Sequence, residues 1–279
     1  MELWVTEQQN EHVNFTTRVK KTLFTGKSEY QDISVLETEY FGKMLILDGV
    51  IQTTTFDEFI YHEMIVHVPM LTHPNPKKVL IIGGGDGGSV REATKHESVE
   101  ALNWIDIDVK VIETCREYLP EWNLTSKENP IVHLQIEDGI QHMKQSKGIY
   151  DVIIVDCSDP VGPGEQLFMY DFYKDIFDSL KVDGLFVQQT ESPFFHRDLI
   201  KRVQKDVKSL FPVTRLYTAN IPTYPSGLHC FTIGSKKYDP LHFDEVRTPN
   251  FETRCYSKEA HQSSFLLPKY VKELTFDQF

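Results

Sequence analysis

Three aspartates stand where strands of a predicted sheet end, and their chemistry is the strongest functional signal in the sequence. Asp86 lies in the glycine-rich loop Gly83–Gly88, while Asp156 and Asp159 follow the apolar run Val152–Val155. Because the carboxyl ends of parallel strands meet at one edge of a sheet, we expect these carboxylates to share one strongly negative pocket. Such a pocket suits a ligand that carries two ammonium groups. An Asx-turn before a proline would explain Asp159 but not Asp156.

A metal ion is the alternative occupant of this acidic pocket, and the sequence disfavours it. No cluster of histidines and cysteines accompanies the three aspartates. The segment His62–His67 resembles a zinc-protease helix, but its histidines are spaced i and i+5 instead of i and i+4. On a helix the second ring then lies about 140° around the axis from the first. We therefore predict no metal site.

A second group of residues has the spacing of a nucleoside site. The loop Gly83–Gly88 contains a G-x-G-x-x-G motif between an apolar run and a predicted helix, which permits a tight turn and a close ligand. Asp106 ends the next strand, where a carboxylate accepts hydrogen bonds from ribose hydroxyls. Glu137 and Asp138 end the third strand, beside the expected position of an adenine. Each acid alone could be a helix N-cap, but three at successive strand ends favour a nucleoside pocket.

The charge of Asp86 distinguishes between two kinds of nucleoside ligand. A dinucleotide places its pyrophosphate at the helix N-terminus, and a carboxylate in that loop would repel phosphate. The sequence therefore favours a ligand of the adenosylmethionine type over NAD. A dehydrogenase is accordingly the least favoured enzyme class.

The elements that must position these residues fall into two predicted parts. Over residues 1–57, β-branched and aromatic residues alternate with polar ones, and Asp48–Gly49 marks a hairpin turn. This pattern predicts a small N-terminal antiparallel β domain. Its expected strands are Asn14–Val19, Gln31–Glu37, Lys43–Leu47 and Val50–Thr55.

From residue 58 to residue 279, apolar runs alternate with helical patterns, which predicts a Rossmann-like, methyltransferase-type doubly wound α/β domain. A first helix, capped by Asp57, is expected to end before Pro69. The predicted strands are Val79–Ile82, Ala101–Ile105, Ile131–Ile136, Val152–Val155 and Leu185–Gln189, and then Val213–Ala219 and Cys230–Gly234 as closing strands, for which an antiparallel pair is one arrangement. The predicted helices are Ser89–Lys95, Val109–Leu119, Gly139–Gln145, Tyr170–Leu180 and His196–Leu210.

Composition and charge exclude several classes of protein. The net charge of −12 over 279 residues argues against a nucleic-acid binder, which needs a basic surface, and favours cationic partners. The sequence begins without a signal-peptide pattern and has no apolar run long enough to span a membrane. Its four cysteines are scattered, which is typical of reduced thiols. We therefore expect a cytoplasmic protein without a membrane partner.

The sequence resembles the spermidine synthase family, particularly its bacterial members, over almost the whole chain. The resemblance lies in an ordered set of segments, namely Leu47–Gln52, Asp57–Met64, Gly83–Gly88 with Arg91–Glu92, Asp156–Pro163 and Ile221–Gly227. Membership implies a β domain followed by a methyltransferase-like domain, and a homodimer or homotetramer. The chain departs from many relatives in having Asp106 instead of Glu, and Cys157 instead of Ser or Thr. Neither change alters the implied reaction.

The resemblance also implies roles for single residues. Asp156 would be the catalytic acid residue, and we propose that Tyr61 helps it to receive a proton. The implied donor contacts are Gln31 and Asp106 at the ribose and methionine-derived part, Glu137 and Asp138 with Pro163 at the adenine, and Asp86 and Gln52 at the aminopropyl amine. The implied diamine channel is lined by Tyr61, His62, Asp159, Tyr224 and Gln189.

The function implied by the resemblance is transfer of an aminopropyl group from decarboxylated S-adenosylmethionine to putrescine, giving spermidine and methylthioadenosine. The donor is a co-substrate, and no cofactor is expected. Two alternatives remain, an S-adenosylmethionine-dependent methyltransferase and a non-catalytic polyamine-binding protein. A methyltransferase would need neither Asp86 in its loop nor the Asp156–Asp159 pair. The acceptor stays open among putrescine, cadaverine, agmatine and spermidine.

Overall fold

The computed structural model describes residues 2–122, 129–160 and 162–275, whose strands form two sheets. The smaller sheet is antiparallel throughout, with each strand beside its neighbour in sequence. Its five strands are β1 Leu3–Asn10, β2 Val13–Lys27, β3 Asp32–Thr38, β4 Lys43–Leu47 and β5 Val50–Thr54. The predicted antiparallel β region is therefore confirmed, although β1 was not predicted and β2 is much longer than expected.

The first strand escaped prediction because it has no apolar face. Its one buried side chain is that of Glu7, while Leu3 and Trp4 are about half exposed. Sequence patterns detect a strand through alternation of apolar and polar residues, and this alternation is missing here. The strand is held by its backbone pairing with β2, by packing of Val5 against the core of the smaller sheet, and by the hydrogen bond that Glu7 accepts from the Ile51 amide.

The larger sheet has seven strands in the order β11-β12-β10-β9-β6-β7-β8. All neighbours are parallel except β12, which is antiparallel to both β10 and β11. The strands are β6 Lys78–Gly83, β7 Ala101–Asp106, β8 Val132–Ile136, β9 Tyr150–Asp156, β10 Leu180–Gln189, β11 Val213–Asn220 and β12 Leu228–Ser235. The doubly wound fold and the antiparallel closing pair are thus confirmed.

Helices cover both faces of the larger sheet. They are α1 Glu58–Thr72, α2 Gly88–Thr94, α3 Val109–Tyr118, α4 Gly139–Gln145, α5 Tyr170–Ser179, α6 Arg197–Leu210, α7 Lys258–Ser264 and α8 Lys269–Lys272, with 3-10 helices at Gly162–Phe168 and Pro225–Gly227. In β6 and β9, alternate residues enter two separate cores, one with α1 and α2 and the other with α4, α5 and α6. This two-sided burial explains the continuous apolar runs of these strands.

Helix α1 begins where predicted, with Asp57 at the N-cap position, but the contacts of Asp57 and the end of the helix differ from the prediction. The side chain of Asp57 does not cap the helix but accepts hydrogen bonds from Thr54 and from the backbone and hydroxyl of Thr223. The helix also continues through Pro69, because the residues around the proline are buried and their packing outweighs its cost. Arg247 donates to the carbonyl of Met70 in the last turn.

The two sheets are joined mainly through α3. Apolar side chains of β3 and β4 pack against one face of this helix and the turn after it, in a core formed by Ile33, Val35, Leu45, Val111, Cys115, Leu119 and Trp122. This contact places the β4–β5 hairpin over the carboxyl edge of the larger sheet. Among the described residues, no helix combines the length and the apolar character that a membrane span requires.

Candidate active site

A cavity of about 340 Å³ lies at the carboxyl edge of the larger sheet. Its wall combines the glycine-rich loop, the ends of β6, β7 and β9, and the β4–β5 hairpin of the smaller sheet. Eleven of the thirteen predicted site residues line it, namely Gln31, Gln52, Tyr61, His62, Asp86, Asp106, Asp138, Asp156, Asp159, Gln189 and Tyr224. The structure therefore brings the predicted nucleoside residues and the predicted amine residues into one space.

Of the two remaining predicted residues, only Glu137 has a described side chain. Glu137 does not line the cavity, and its Oε1 atom lies 2.7 Å from Nδ1 of His142. The carboxylate of Glu137 is therefore engaged by His142 in this structure, and its role at the adenine stays a prediction. Pro163 belongs to a 3-10 helix, but its side chain lies outside the described part of the chain.

The glycine-rich loop approaches the end of β9 so closely that side chains are excluded. Gly83 and Gly84 have φ angles of +82° and +66°, which only glycine adopts readily. A Cβ atom on Gly83 would lie 2.1 Å from the carbonyl oxygen of Asp156, and the Gly84 amide donates to that same carbonyl at 2.7 Å. The motif here holds Asp86 and Asp156 next to each other.

Asp156 is fixed at both of its carboxylate oxygens. The hydroxyl of Tyr61 donates to Oδ1 at 2.7 Å, and the hydroxyl of Ser89, at the start of α2, donates to Oδ2 at 2.7 Å. Burial, together with the charge of Asp86, raises the pKa of Asp156 above its ordinary value. A carboxyl group that is oriented in this way and has a raised pKa is suited to accept a proton from a bound substrate.

Asp86 belongs to a buried chain of alternating charges. Its Oδ2 atom lies 3.2 Å from Nε2 of His62, whose Nδ1 lies 2.6 Å from Glu58, and Arg91 donates to the same Glu58 oxygen at 2.9 Å. Although burial lowers the pKa of His62, the two carboxylates raise it well above its ordinary value. Each ring nitrogen of His62 faces a carboxylate oxygen, and this arrangement favours the protonated ring.

The contacts of His62 also affect whether this site could bind a metal ion. Ligand atoms of His62, Asp86 and Asp156 lie within 4.8 Å of one another, the one such grouping found among the described residues. A histidine must be deprotonated to ligate a metal, and each nitrogen of His62 already faces a carboxylate. Both ring nitrogens of His62 are therefore already engaged by carboxylates in this grouping.

Among the acids predicted to bind a nucleoside, the alternative role as a helix cap applies to Asp138 but not to Asp106. Asp138 caps α4 by accepting from the Ile140 amide at 2.8 Å, and it also lines the cavity. Asp106 caps no helix but accepts from the Asp108 amide at 2.8 Å. Burial, with a contribution from Asp108, raises the pKa of Asp106 to about 7. Asp106 is thus the acid of this group that is least satisfied by the protein.

Asp108 is a site residue that the sequence analysis did not select. It caps α3 and also accepts hydrogen bonds from Ser28 at 2.6 Å and from Nε2 of Gln31 at 2.8 Å. This double role fixes Gln31, which comes from the smaller sheet, at the edge of the cavity. Its spacing in the sequence could have indicated the cap but not the contact with a residue 77 positions away.

Asp159 and Glu191 form a further acidic group in the cavity lining. Glu191 lines the cavity with Asp159, and burial and the charge of Asp159 raise its pKa well above its ordinary value. Gln189 donates to the carbonyl of Cys157 at 3.2 Å and to Glu191 at 3.2 Å. Cys157 thus contributes its carbonyl to this contact, and its Sγ accepts from Gln188 at 3.7 Å. The hydroxyl of Tyr224 donates to the carbonyl of Gln52 at 2.6 Å.

Besides Asp108, the sequence analysis missed Ser89, Glu191 and His229, all of which contact or line the site. Ser89 could have been noticed because it directly follows the glycine-rich loop. Glu191 and His229 belong to no motif and carry no spacing signal. They reach the cavity because β12 pairs with β10, a long-range antiparallel contact.

The fold and the site together define a methyltransferase-like α/β protein whose pocket combines a glycine-rich loop at the carboxyl edge of the sheet with several carboxylates. Family models agree with this class. Residues 58–245 match the spermine/spermidine synthase domain, and residues 3–55 match the spermidine synthase tetramerisation domain. The chain belongs to the spermidine synthase family and is an enzyme of that family.

Individual relatives cover almost the whole chain. A polyamine aminopropyltransferase of Caldicellulosiruptor bescii is 54% identical over 98% of this chain and 98% of its own length, and that of Bacillus subtilis is 52% identical over 98% and 99%. A crystal structure of spermidine synthase in complex with the transition state analogue AdoDATO superimposes with a TM-score of 0.94 at 40% identity, covering 98% of this chain and 94% of that one. The spermidine synthase of Thermotoga maritima gives 0.92 at 40% identity over the same shares. The implied resemblance, including that to bacterial members, is confirmed.

Proposed function

We propose that this protein transfers the aminopropyl group of decarboxylated S-adenosylmethionine to putrescine, giving spermidine and methylthioadenosine. The observation that carries the proposal is that Asp156, held by Tyr61, lines the same cavity as Asp86, Asp159 and Glu191. Three carboxylate positions in one cavity match the ammonium groups of an amine donor and a diamine acceptor. The names of the relatives, polyamine aminopropyltransferases, support the same reaction.

The proposed reaction begins with loss of a proton from the acceptor. An alkylammonium has a pKa near 10.4 and is mostly protonated at neutral pH. Asp156 accepts this proton, and Tyr61 keeps the carboxylate aimed at the amine. The free amine then attacks the carbon next to the donor sulfonium, a C–N bond forms and the C–S bond breaks. The bonding pair returns to sulfur, which leaves as the neutral thioether of methylthioadenosine.

Binding of the two substrates uses different ends of the cavity. Asp106 and Gln31 hold the ribose side of the donor, Asp138 lies by its adenine, and Asp86 with Gln52 pairs with its amine. Asp159 and Glu191 hold the second ammonium of the acceptor, in a channel lined by the remaining predicted residues, His62, Gln189 and Tyr224. Because both reactants are bound side by side, positioning supplies much of the rate.

An assay with the decarboxylated donor and a panel of amines tests the proposed function. With putrescine we expect methylthioadenosine and spermidine in equal amounts by mass spectrometry. Formation of S-adenosylhomocysteine from ordinary S-adenosylmethionine, without methylthioadenosine, would instead identify a methyltransferase. Amine binding without turnover of any donor would identify a polyamine-binding protein.

The proposal also covers the domain boundary, the oligomeric state and the cellular location of the protein. The boundary between the β domain and the catalytic domain lies at residues 57 and 58. The match to a tetramerisation domain supports a homo-oligomer, and we expect a homotetramer or a homodimer in the cytoplasm. The reaction as written uses only the donor, the amine and side chains of this chain, so we expect activity to persist in the presence of a chelator.

Binding of the nucleoside product should depend on pH through Asp106. This carboxyl has a pKa of about 7, so it is largely protonated below that value and ionised above it. Ribose hydroxyls donate more strongly to a carboxylate than to a neutral acid. The affinity for methylthioadenosine, measured by calorimetry, should therefore rise by roughly tenfold as pH increases through this range.

Two variants give this pH prediction its controls. Asp106→Asn should bind methylthioadenosine with little pH dependence. Asp239→Asn removes a carboxylate that pairs with Arg215 at a position outside the cavity lining and should keep the dependence. An unchanged slope in Asp106→Asn would assign the titration to another group.

A further inference from the structure

Ser89 supports the carboxylate of Asp156 from behind the cavity wall. Its side chain is completely buried and does not line the cavity, whereas Asp156 does. The Ser89 hydroxyl donates to Oδ2 of Asp156 at 2.7 Å. A Cβ atom on Gly84 would lie 2.9 Å from the same oxygen, so the glycine-rich loop packs against it as well. Ser89 therefore contacts Asp156 from the protein interior, without reaching the space that substrates would occupy.

The first turn of α2 contacts both of the acids that are assigned to the substrate amines. The Gly88 amide donates to Oδ1 of Asp86 at 2.8 Å, and the next residue, Ser89, donates to Asp156. In the proposed function, Asp86 pairs with the donor amine and Asp156 receives the proton of the acceptor. Because the two donors are adjacent in one helical turn, Ser89 holds Asp156 in a fixed position relative to Asp86.

The charges around Asp156 make this hydroxyl important for its ionisation. Burial and the charge of Asp86 raise the pKa of Asp156, whereas His62 and the hydroxyls of Tyr61 and Ser89 act in the opposite direction. The titratable groups that face Asp156 are Tyr61 and His62 on α1, Asp86 in the glycine-rich loop, Asp106 at the end of β7, Cys157 after β9, and Tyr224 before the second 3-10 helix. Asp156 therefore depends on its hydrogen-bond donors to stay ionised beside two other aspartates.

A carboxyl group must be ionised before it can accept a proton as a general base. A hydroxyl that donates to it stabilises the ionised form more than the protonated form, because a charge-assisted hydrogen bond is the stronger one. Tyr61 provides such a bond from the cavity wall, and Ser89 provides one from the interior. The bond from Ser89 also fixes the direction of Oδ1, because the two oxygens of a planar carboxylate turn together.

We propose that Ser89 is a positioning residue for the transfer reaction, whose hydroxyl keeps Asp156 ionised and aimed at the acceptor amine. The inference rests on the proposed function and extends it to a residue that touches neither substrate. The proton of the acceptor ammonium still passes to Asp156, the C–N bond forms and the C–S bond breaks. Ser89 keeps its own proton throughout.

The test compares Ser89→Ala, Ser89→Cys and Ser89→Thr with the unmodified enzyme. Alanine removes the donor, cysteine supplies a weak one, and threonine retains the hydroxyl. The matched control is Ser179→Ala, because Ser179 is also completely buried, donates to the carbonyls of Met143 and Ser146, and lies outside the cavity lining. Steady-state kinetics with the decarboxylated donor and putrescine gives kcat and KM from the acidic limb of the pH profile to its plateau. Thermal unfolding at each pH shows whether each variant is folded.

Ser89→Ala should move the acidic limb of the kcat profile to higher pH by about one unit, as expected for loss of one hydrogen bond to a charged group. On that limb kcat should therefore fall by about tenfold, and on the plateau it should approach the value of the unmodified enzyme. KM for both substrates should change little, because Ser89 contacts neither. Ser89→Cys should give a smaller shift, and Ser89→Thr and Ser179→Ala should retain the original profile.

Three results would overturn the inference. The same proportional loss of kcat at every pH, with the limb unmoved, would show a structural defect alone. An unchanged profile in folded Ser89→Ala would show that the hydroxyl has no effect on Asp156, and equal shifts in Ser89→Ala and Ser89→Thr would show that the shift does not depend on the hydroxyl. If the unmodified enzyme releases no methylthioadenosine with any amine, the proposed function fails, and this inference fails with it.

Discussion

Replacing Asp156 by asparagine should lower kcat for aminopropyl transfer by about 10²–10⁴-fold, the range that general acid–base catalysis contributes in enzymes. An amide has nearly the same shape as the carboxyl group but cannot accept a proton at neutral pH. The acceptor amine would then lose its proton only to solvent, in a cavity whose wall is largely buried. KM for the donor should change much less, because the donor amine is assigned to Asp86.

The contacts of Asp156 determine how far this variant remains folded. The carbonyl of asparagine can accept from either Tyr61 or Ser89, whereas its amide nitrogen would face the other hydroxyl, which can turn to accept. The backbone carbonyl of residue 156, which anchors the glycine-rich loop, is unaffected. We therefore expect a loss of activity without a comparable loss of stability.

A matched control comes from the opposite end of the same strand. Asp151 accepts from the amides of Lys77 and Lys78 and pairs with Lys181, and it lies outside the cavity lining. Asp151→Asn should lower the melting temperature but keep kcat within a few-fold of the unmodified enzyme. Steady-state kinetics with methylthioadenosine detection measures both variants. Near-normal turnover by folded Asp156→Asn would remove Asp156 from the catalytic role.

The fold was predictable to the extent that burial leaves periodic patterns in the sequence. The central parallel strands β6 and β9, buried on both faces, appear as continuous apolar runs, and the structure places them within about two residues of their predicted bounds. Where interactions other than periodic burial determine the structure, the sequence pattern gave a wrong or incomplete prediction. The strand at Leu3–Asn10 is held by backbone pairing and by contacts of Val5 and Glu7, and α1 passes Pro69 because tertiary packing outweighs a local preference.

The residues of the candidate site also fall into those that the sequence pattern could predict and those that it could not. Residues at the ends of predicted strands, such as Asp106 and Asp156, could be placed together because topology alone brings them to one edge. Glu191 and His229 could not, because they reach the cavity through the pairing of β10 with β12. Glu137 shows a second reason why prediction is limited. The adjacent residues Glu137 and Asp138 end the same strand but have different neighbours, and their positions in the sequence do not reveal which of the two side chains lines the cavity.

Asp86→Asn should weaken binding of the decarboxylated donor by about 2 kcal/mol or more, a factor of about 30, because it removes a buried charge that pairs with the donor amine. It should also relax the rejection of ordinary S-adenosylmethionine. That ligand bears a carboxylate on its methionine tail, and Asp86 repels it in the unmodified protein. Competition binding with the two nucleosides measures affinity and selectivity together.

The control for this variant must separate loss of the carboxylate from general disturbance of buried charges. Glu92, on α2, is a buried carboxylate that pairs with Arg91, His67 and Lys95 and does not line the cavity. Glu92→Gln should destabilise the protein, and donor selectivity should stay unchanged. Retained preference for the decarboxylated donor in folded Asp86→Asn would place the selectivity elsewhere in the pocket.

The neighbour of Asp86 makes the change in selectivity larger than loss of repulsion alone. His62 lies 3.2 Å from Asp86 and 2.6 Å from Glu58, and Glu58 remains in the variant to favour the protonated ring. With the carboxylate of Asp86 gone, this ring would present an N–H to the tail of the bound nucleoside. An N–H at this point attracts the carboxylate of S-adenosylmethionine and repels the ammonium of the decarboxylated donor. Asp86→Asn should therefore lower the affinity for the decarboxylated donor and raise the affinity for S-adenosylmethionine. Glu58→Gln weakens the hold on the proton of His62. The double variant Asp86→Asn, Glu58→Gln should therefore lose part of the increased affinity for S-adenosylmethionine.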